Sequence, residues 1–574
     1  MADSVEILDE RTHRLLPGGW HPIVAAMLAF LVVQVWAIGL AAASPQMNST
    51  GSSFAGVAIQ QWVGQAATLY GLNINWQVSN SVQGLDDFAQ NQMDFAASDI
   101  PYSSGQASGN PTVPFQYLPD VAGALAFMYN LTGNNGQQIR NLVLSYRTLE
   151  DIFSGRITNW DDPEIQAINP PAVAANLPNQ KILSVYRADA SGENYLLSDY
   201  LLHMDPAGFE AYQGAMQVEV GQPAATWPTL QGGVTAPPGY PGWADGDLQG
   251  ENGSDQAANF VSASSSDGAI TYVETAYAKE HNMPVASVVN ASGNSVQPTS
   301  VDDAVALEKA ILYSDLTQNL ANVYTNPLPL AYPVSAYSYF VTPCSPSLAA
   351  GQQTTCAGNN STPSTFSSQK GQALGQFIQF VACAGQSQMA QLGYSPLPPN
   401  LVQEDFDAIG RLNGGQQPAP VSSANCKNPY VDGQTPLPGE PAVIGSAPAP
   451  TSSSAGGTTQ SSGPAHSTTA TLAQGSAPAG TSSSAGATSG LAGSTATKNG
   501  SVVAQAQKAA REKQVAAIRA GFEHGNALTA ASSSLLHSLP EAGAILVWCG
   551  VLAVILAGPP LATRTWRRRR SSRA

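Results

Sequence analysis

The sequence predicts an α/β fold, and three observations carry the prediction. Short apolar runs of strand length alternate with longer stretches whose apolar residues recur at helical spacing. Strand ends are repeatedly followed by Ser, Gly or Asn just before a helix, the connection that layered α/β units use. Turns between them are rich in the chain's 53 glycines and 41 prolines. Two long apolar runs near the ends and a stretch of small residues flank this body. The predicted architecture is therefore an α/β body with N- and C-terminal transmembrane helices and a disordered linker.

The chain has 574 residues, room for two or more domains. It carries 23 Lys+Arg against 39 Asp+Glu, a formal net charge of −16. That balance argues against a nucleic-acid partner, whose phosphates demand a basic surface. The cysteines are unevenly placed: Cys344, Cys356, Cys383 and Cys426 lie in the body and Cys549 lies in an apolar run. No Cys-x-x-Cys pair is present, which argues against zinc. Four cysteines in an exported chain allow three pairings. Joining sequence neighbours closes the shortest loops and gives Cys344–Cys356 and Cys383–Cys426. Free thiols are the alternative, which export disfavours.

Taken in order, residues 1–45 read as a polar leader followed by a signal peptide or signal anchor. Pro22 to Ala43 is an apolar run long enough to span a bilayer, preceded by Arg11 and Arg14. Ala41-Ala42-Ala43-Ser44 resembles a cleavage site, while the run's length and the acidic leader favour an anchor. The body occupies 46–430. Val57–Tyr70 predicts a helix, Leu72–Val78 a strand, Gly84–Ala89 a short helix and Asp94–Ser98 a short strand. Ile182–Tyr186 predicts a strand and Tyr195–His203 a helix.

Residues 440–500 are Ala, Ser, Thr, Gly and Pro, and Gly445–Gly457 recurs almost unchanged as Gly475–Ala487. Such composition cannot bury a core. A coil of about 60 residues would reach roughly 40–45 Å root-mean-square. Val502–Phe522 predicts a juxtamembrane helix. Ala542–Leu561 reads as a transmembrane helix, closed by the basic tail 562–574 with Arg564 and Arg567–Arg570 on the cytoplasmic side. Both ends then lie in the cytosol, and the body lies outside the cell membrane.

Four loops carry the chemistry. Gly51-Ser52-Ser53-Phe54 precedes a helix. Ser79-Asn80-Ser81-Val82-Gln83-Gly84 joins a strand to a helix. Asp94–Ser98 ends in Asp99-Ile100-Pro101. Arg187-Ala188-Asp189-Ala190-Ser191-Gly192-Glu193 joins a strand to the Tyr195–His203 helix. Each alone is an ordinary cap. Together they offer helix N-termini with unpaired N–H groups and partial positive charge, serine hydroxyls and one guanidinium, which is an anion cradle.

These segments resemble the PstS-like phosphate-binding protein of the high-affinity phosphate ABC transporter. The stretch Trp76-Gln77 to Asp99-Ile100-Pro101 is similar without a gap. So are Thr148–Asp161, Gly268–Ala278 and Tyr394-Ser395-Pro396-Leu397-Pro398, and the likeness spans about 50–412. It implies a two-lobed type II periplasmic-binding-protein fold. The crossing strands are expected at Gly123–Asn130 and Pro333–Val341. One lobe is then 46–122 with 342–415, the other 131–332, and the anion sits in the cleft between them.

The resemblance also implies a ligand set for inorganic phosphate. Ser53, standing where the family has Thr, gives its hydroxyl and N–H, and Phe54 its N–H. Ser81 gives hydroxyl and N–H, Arg187 a charged fork supported by Asp189, and Ser191 and Gly192 their N–H groups, with the Ser191 hydroxyl. Asp99 accepts the proton that phosphate retains. Sulfate has no such proton, and its buried contact with a carboxylate would be lower in affinity by tens- to hundreds-fold. Glu193 stands where the family has a phosphate-bonding threonine. Either it points away, stabilised at the first helical turn, or it faces the ligand; the outward orientation is the expectation. Asn80 and Val82 replace glycines beside Ser81.

The expected function is a membrane-tethered solute-binding protein that captures phosphate, hands it to ABC permease subunits and needs no cofactor. The alternative keeps the fold as a sensor or surface protein for phosphate or another oxyanion. No Cys precedes Cys344, so no lipid-anchoring cysteine lies in the leader, which fits the alternative better. An enzyme is disfavoured, because none of the seven histidines, His203 among them, sits in metal or triad spacing. The acidic run with Asp245, Asp247, Glu251 and Asp255 does not match a calcium loop. It is expected to be a solvated loop, or a cleft rim near Asn252-Gly253-Ser254.

Overall fold

The computed structural model describes residues 44–230, 235–345, 356, 366–433 and 437–444. Both expected spans, the repeats, the helix expected at 502–522 and the basic tail lie outside the described residues. Among the described residues no helix is long and apolar enough to cross a membrane.

The strands in chain order are β1 (Gln46–Gly51), β2 (Asn73–Val78), β3 (Phe95–Ser98), β4 (Phe115–Asn130), β5 (Val143–Leu144), β6 (Leu183–Arg187), β7 (Leu248–Glu251), β8 (Ala269–Glu274), β9 (Ser287–Val289), β10 (Ser295–Val296), β11 (Ile311–Leu312), β12 (Gln318–Asn319), β13 (Ser335–Pro343) and β14 (Ala442–Val443). Eight of them form one sheet in the order β2-β1-β3-β13-β4-β8-β6-β7. β1 runs parallel to β2 and β3, and β6 runs parallel to β7 and β8. Between these two groups β13 and β4 run antiparallel to each other and to their outer neighbours. The result is a two-lobed α/β body.

One strand serves both lobes. Residues Phe115–Ala124 of β4 pair with β13, and Leu125–Asn130 pair with β8. Val121–Tyr129 is a near-continuous apolar run, as expected for a strand buried on both faces. The one acid of β4, just before this run, is exceptional. Val121 faces Ser338 and Pro119 faces Tyr339, so Asp120 is an extra residue with no ladder partner. Such a bulge also tolerates Pro119, which has no N–H to donate.

Helices cover the sheet because their apolar faces need burial. Trp62, from the helix Gly56–Tyr70, packs edge-on against Phe340 of β13. Phe153, Trp227 and Tyr272 interlock over the other lobe. Burying one such side chain contributes about 2–3 kcal/mol. The helix after β2 is Ser81–Ala89, three residues earlier than its apolar spacing suggests. Asn80 starts it there, its Oδ1 accepting from Gln83 N at 2.8 Å. Both expected disulfides are present, Cys344–Cys356 and Cys383–Cys426.

Two expectations are corrected. The acidic run is not a solvated loop: it forms the end of a helix, Pro241–Asp245, the strand β7 and the helix Gly253–Ser262. Asp245 and Asp247 hold Lys181 at 3.2 and 3.1 Å. Among the described residues no group of acids, histidines or cysteines is placed to hold a metal ion. The stretch expected to be linker from 440 begins with structure. β14 pairs in parallel with β11, and Asn400 Nδ2 donates to Pro441 O at 2.9 Å.

Candidate anion-binding site

The parallel strands of both lobes send their carboxyl ends to one place. Ser52 and Ser53 follow β1, Asp99 follows β3, and Ser81 opens the helix after β2. Arg187 ends β6, Ser191 caps the helix Gly192–Met204, Ser254 lies in the first turn after β7, and Glu274 ends β8. All of these are buried, with Arg187, Ser191 and Glu193 at 0 % exposure. The approach requires Gly51: its φ is +137°, and a Cβ there would lie 2.0 Å from Ala97 O. Ser52 N donates to that same carbonyl at 2.9 Å.

Asp99 is gripped by two hydroxyls. Ser52 Oγ donates to Oδ1 at 2.6 Å and Ser81 Oγ to Oδ2 at 2.6 Å. Gly192 lies against the same carboxylate, since a Cβ on it would fall 2.3 Å from Asp99 Oδ2 and 2.7 Å from Ser81 Oγ. Opposite stands Arg187. Its Nε and Nη2 bind Asp189 at 2.8 and 2.6 Å. Its Nη1 donates to Ser53 Oγ at 3.1 Å and Ser254 Oγ at 2.9 Å, and lies 2.9 Å from Glu193 Oε1. Asn194 locks this loop, donating to the carbonyls of Arg187, Asp189 and Ala225 and accepting from Tyr272 Oη.

Glu193 does not point away. It lies wholly buried, with Oε1 accepting from Ser53 Oγ at 2.6 Å and from Ser254 Oγ at 3.0 Å. The pull of a helix N-terminus is worth less than about 1 kcal/mol at the surface. A buried guanidinium with two hydroxyls outweighs it. The Ser191 amide also differs from expectation: it donates to Ala225 O at 2.8 Å, while the Ser191 hydroxyl accepts from Asn194 N. Phe54 packs its ring on Gly123, and its carbonyl accepts from Tyr394 Oη at 2.7 Å.

The charges order themselves by burial and by partner. Burial, and then the charge of Glu193, push Asp99 up to about 7. Burial works against the Glu193 charge, but Arg187, Glu274 and Ser53 outweigh it and bring it down to about 2. Burial, followed by the Glu193 charge, pushes Glu274 well above the carboxylate range. The neutral Glu274 beside it favours the charge on Glu193. Ser52, Ser254 and Glu274 were not singled out as ligand residues from the sequence. Ser52 lies beside Ser53, Ser254 lies in the expected cleft rim, and Glu274 lies in the similar stretch Gly268–Ala278.

Comparison with known proteins shows which chains this one is similar to. The phosphate-binding protein PstS of Methanocaldococcus jannaschii is 25% identical over 378 residues, covering 64% of this chain and 86% of its own. The phosphate-binding protein PstS of Xylella fastidiosa (strain Temecula1) is 28% identical over 362 residues, covering 63% and 84%. A solved phosphate-binding protein from Stenotrophomonas maltophilia is 20% identical, with a TM-score of 0.43, over 64% of this chain and 97% of its own. The family described as the PBP superfamily domain matches residues 39–384, more than half of the sequence, and the chain belongs to it.

Proposed function

We propose that the chain is an extracytoplasmic solute-binding protein that takes inorganic phosphate as cargo for an ABC importer, tethered to the membrane through the runs Pro22–Ala43 and Ala542–Leu561. One observation carries the reading: the buried Arg187 Nη1 converges with Ser53 and Ser254 on one anionic oxygen, within the same burial as Asp99. The curated relatives, at 25% and 28% identity, are named as phosphate-binding proteins rather than as enzymes.

In this reading the ligand enters between the lobes and is bound by Ser53, Phe54, Ser81, Asp99, Arg187, Ser191 and Gly192, with Glu193 facing it and Asp189 holding Arg187. The Ser53 hydroxyl and the guanidinium donate to ligand oxygens, and on binding the Ser81 hydroxyl turns to the ligand from Asp99, to which it donates in this structure. Asp99 accepts the ligand's proton and so rejects sulfate. Calorimetry of the full chain with phosphate, sulfate and arsenate tests it. Saturable phosphate binding without sulfate binding is the expected result, and equal binding of both would sink it. A sensor role without transport is favoured by the second apolar run and its arginine-rich tail. Phosphate uptake that persists in cells lacking this chain would select that role.

A further inference from the structure

Phosphate binding leaves one carboxylate without a task. Arg187 commits Nε and Nη2 to Asp189, and its Nη1 is the donor that faces the other lobe. That donor is met by Glu193 Oε1 at 2.9 Å, where Ser53 Oγ and Ser254 Oγ also arrive, at 2.6 and 3.0 Å. A guanidinium N–H and two hydroxyls converging on one anionic oxygen are the donors an incoming oxyanion needs. The charge is also already matched. Arg187 stands against two carboxylates, Asp189 and Glu193, and a third anion beside them would be repelled in a buried site.

We propose that Glu193 is a built-in competitor for the anion seat, so that an oxyanion gains Arg187 Nη1, Ser53 and Ser254 only by displacing the Glu193 carboxylate. The inference rests on the phosphate-binding reading and sharpens it: affinity is set by an exchange of one anion for another. Glu193 sits in the first turn of the helix Gly192–Met204, so the exchange needs a side-chain rotation and no helix movement.

The test is calorimetry of inorganic phosphate with the full chain, its Glu193→Gln variant and its Glu193→Thr variant, in phosphate-free buffer. Both variants are expected to bind phosphate at least tenfold more tightly than the wild type. Thermal melts with and without phosphate check folding, and the phosphate-induced rise in melting temperature is expected to be larger in the variants. If these variants fail to fold, Glu193→Asp keeps the charge, withdraws it by one methylene and is expected to bind more tightly than the wild type. Wild-type binding equal to or tighter than that of the folded variants overturns the competitor and leaves the phosphate reading standing. Absence of phosphate binding in every chain overturns both.

Discussion

Asp189 holds Arg187 as a fork holds a fork: Oδ1 accepts Nε at 2.8 Å and Oδ2 accepts Nη2 at 2.6 Å. Oδ1 also accepts Gly253 N at 2.9 Å, tying the pair to the turn that presents Ser254. Removing Asp189 leaves a buried cation short of one of its two carboxylates. Asp189→Ala is expected to lower stability by roughly 3 kcal/mol, near the low end for a broken buried pair because its side chain is 14% exposed. The midpoint of urea unfolding measures it, and a shift below about 0.5 kcal/mol would contradict it.

Stability should depend on pH with opposite signs from two acids. Asp99 rises from 3.8 to about 7 on folding, so the native state binds more protons between those values and stability falls as pH rises through them. Glu193 falls from 4.5 to about 2, so its contribution is lost as pH falls through that range. The two windows overlap between the ordinary values of 3.8 and 4.5, and the unfolding midpoint is expected to peak there, where the opposed slopes cancel. Asp99→Asn should flatten the decline toward pH 7, and a decline of unchanged slope would count against the buried acid.

The same carboxylate should govern selectivity. Asp99→Asn replaces a carboxylate, which only accepts once ionised, by an amide that always carries donors. The phosphate-to-sulfate affinity ratio is expected to shrink by tens- to hundreds-fold. Competition of sulfate against bound phosphate reads this directly.

Gly51→Ala puts a methyl group where Ala97 O already stands, 2.0 Å away, at a φ of +137°. The strain is expected to cost about 3 kcal/mol or more, because β1 and β3 must separate to relieve it. Loss of phosphate binding should accompany it, since Ser52 and Ser53 follow directly. A urea unfolding curve unchanged within error would refute this account.

Cys383–Cys426 closes a separation of 43 residues. Loop-closure entropy puts its contribution at about 4 kcal/mol as an upper figure. Replacing both cysteines by alanine is expected to lower stability by roughly 2–4 kcal/mol, measured by denaturant unfolding without reductant.

The legible part of the chain is the part governed by local rules. The helix Gly56–Tyr70 and the strand Asn73–Val78 end where Val57–Tyr70 and Leu72–Val78 were expected to end. Ser53, Ser81, Asp99 and Arg187 were readable because each ends or follows a strand or opens a helix. Glu193 was not. A first-turn acid reads locally as an outward charge, while its orientation is set by Arg187, Ser53 and Ser254, of which Ser53 is 140 residues away. β14 escaped for a similar reason: two residues in an Ala- and Pro-rich stretch have no strand signal of their own and take it from β11. The acidic run looked like a solvated loop because β7 lies at the sheet edge, where polar side chains are tolerated.

The unpaired Asp120 has a mechanical consequence. It sits on the strand shared by both lobes, and a bend centred there breaks no ladder pair. The Asp120 carbonyl, outside the ladder, is met instead by Gln386 Nε2 at 3.0 Å. Burial, and then the charge of Asp99, pushes the Asp120 carboxyl well above the carboxylate range. The stability drawn from this neutral acid is therefore lost as the pH rises toward its raised value.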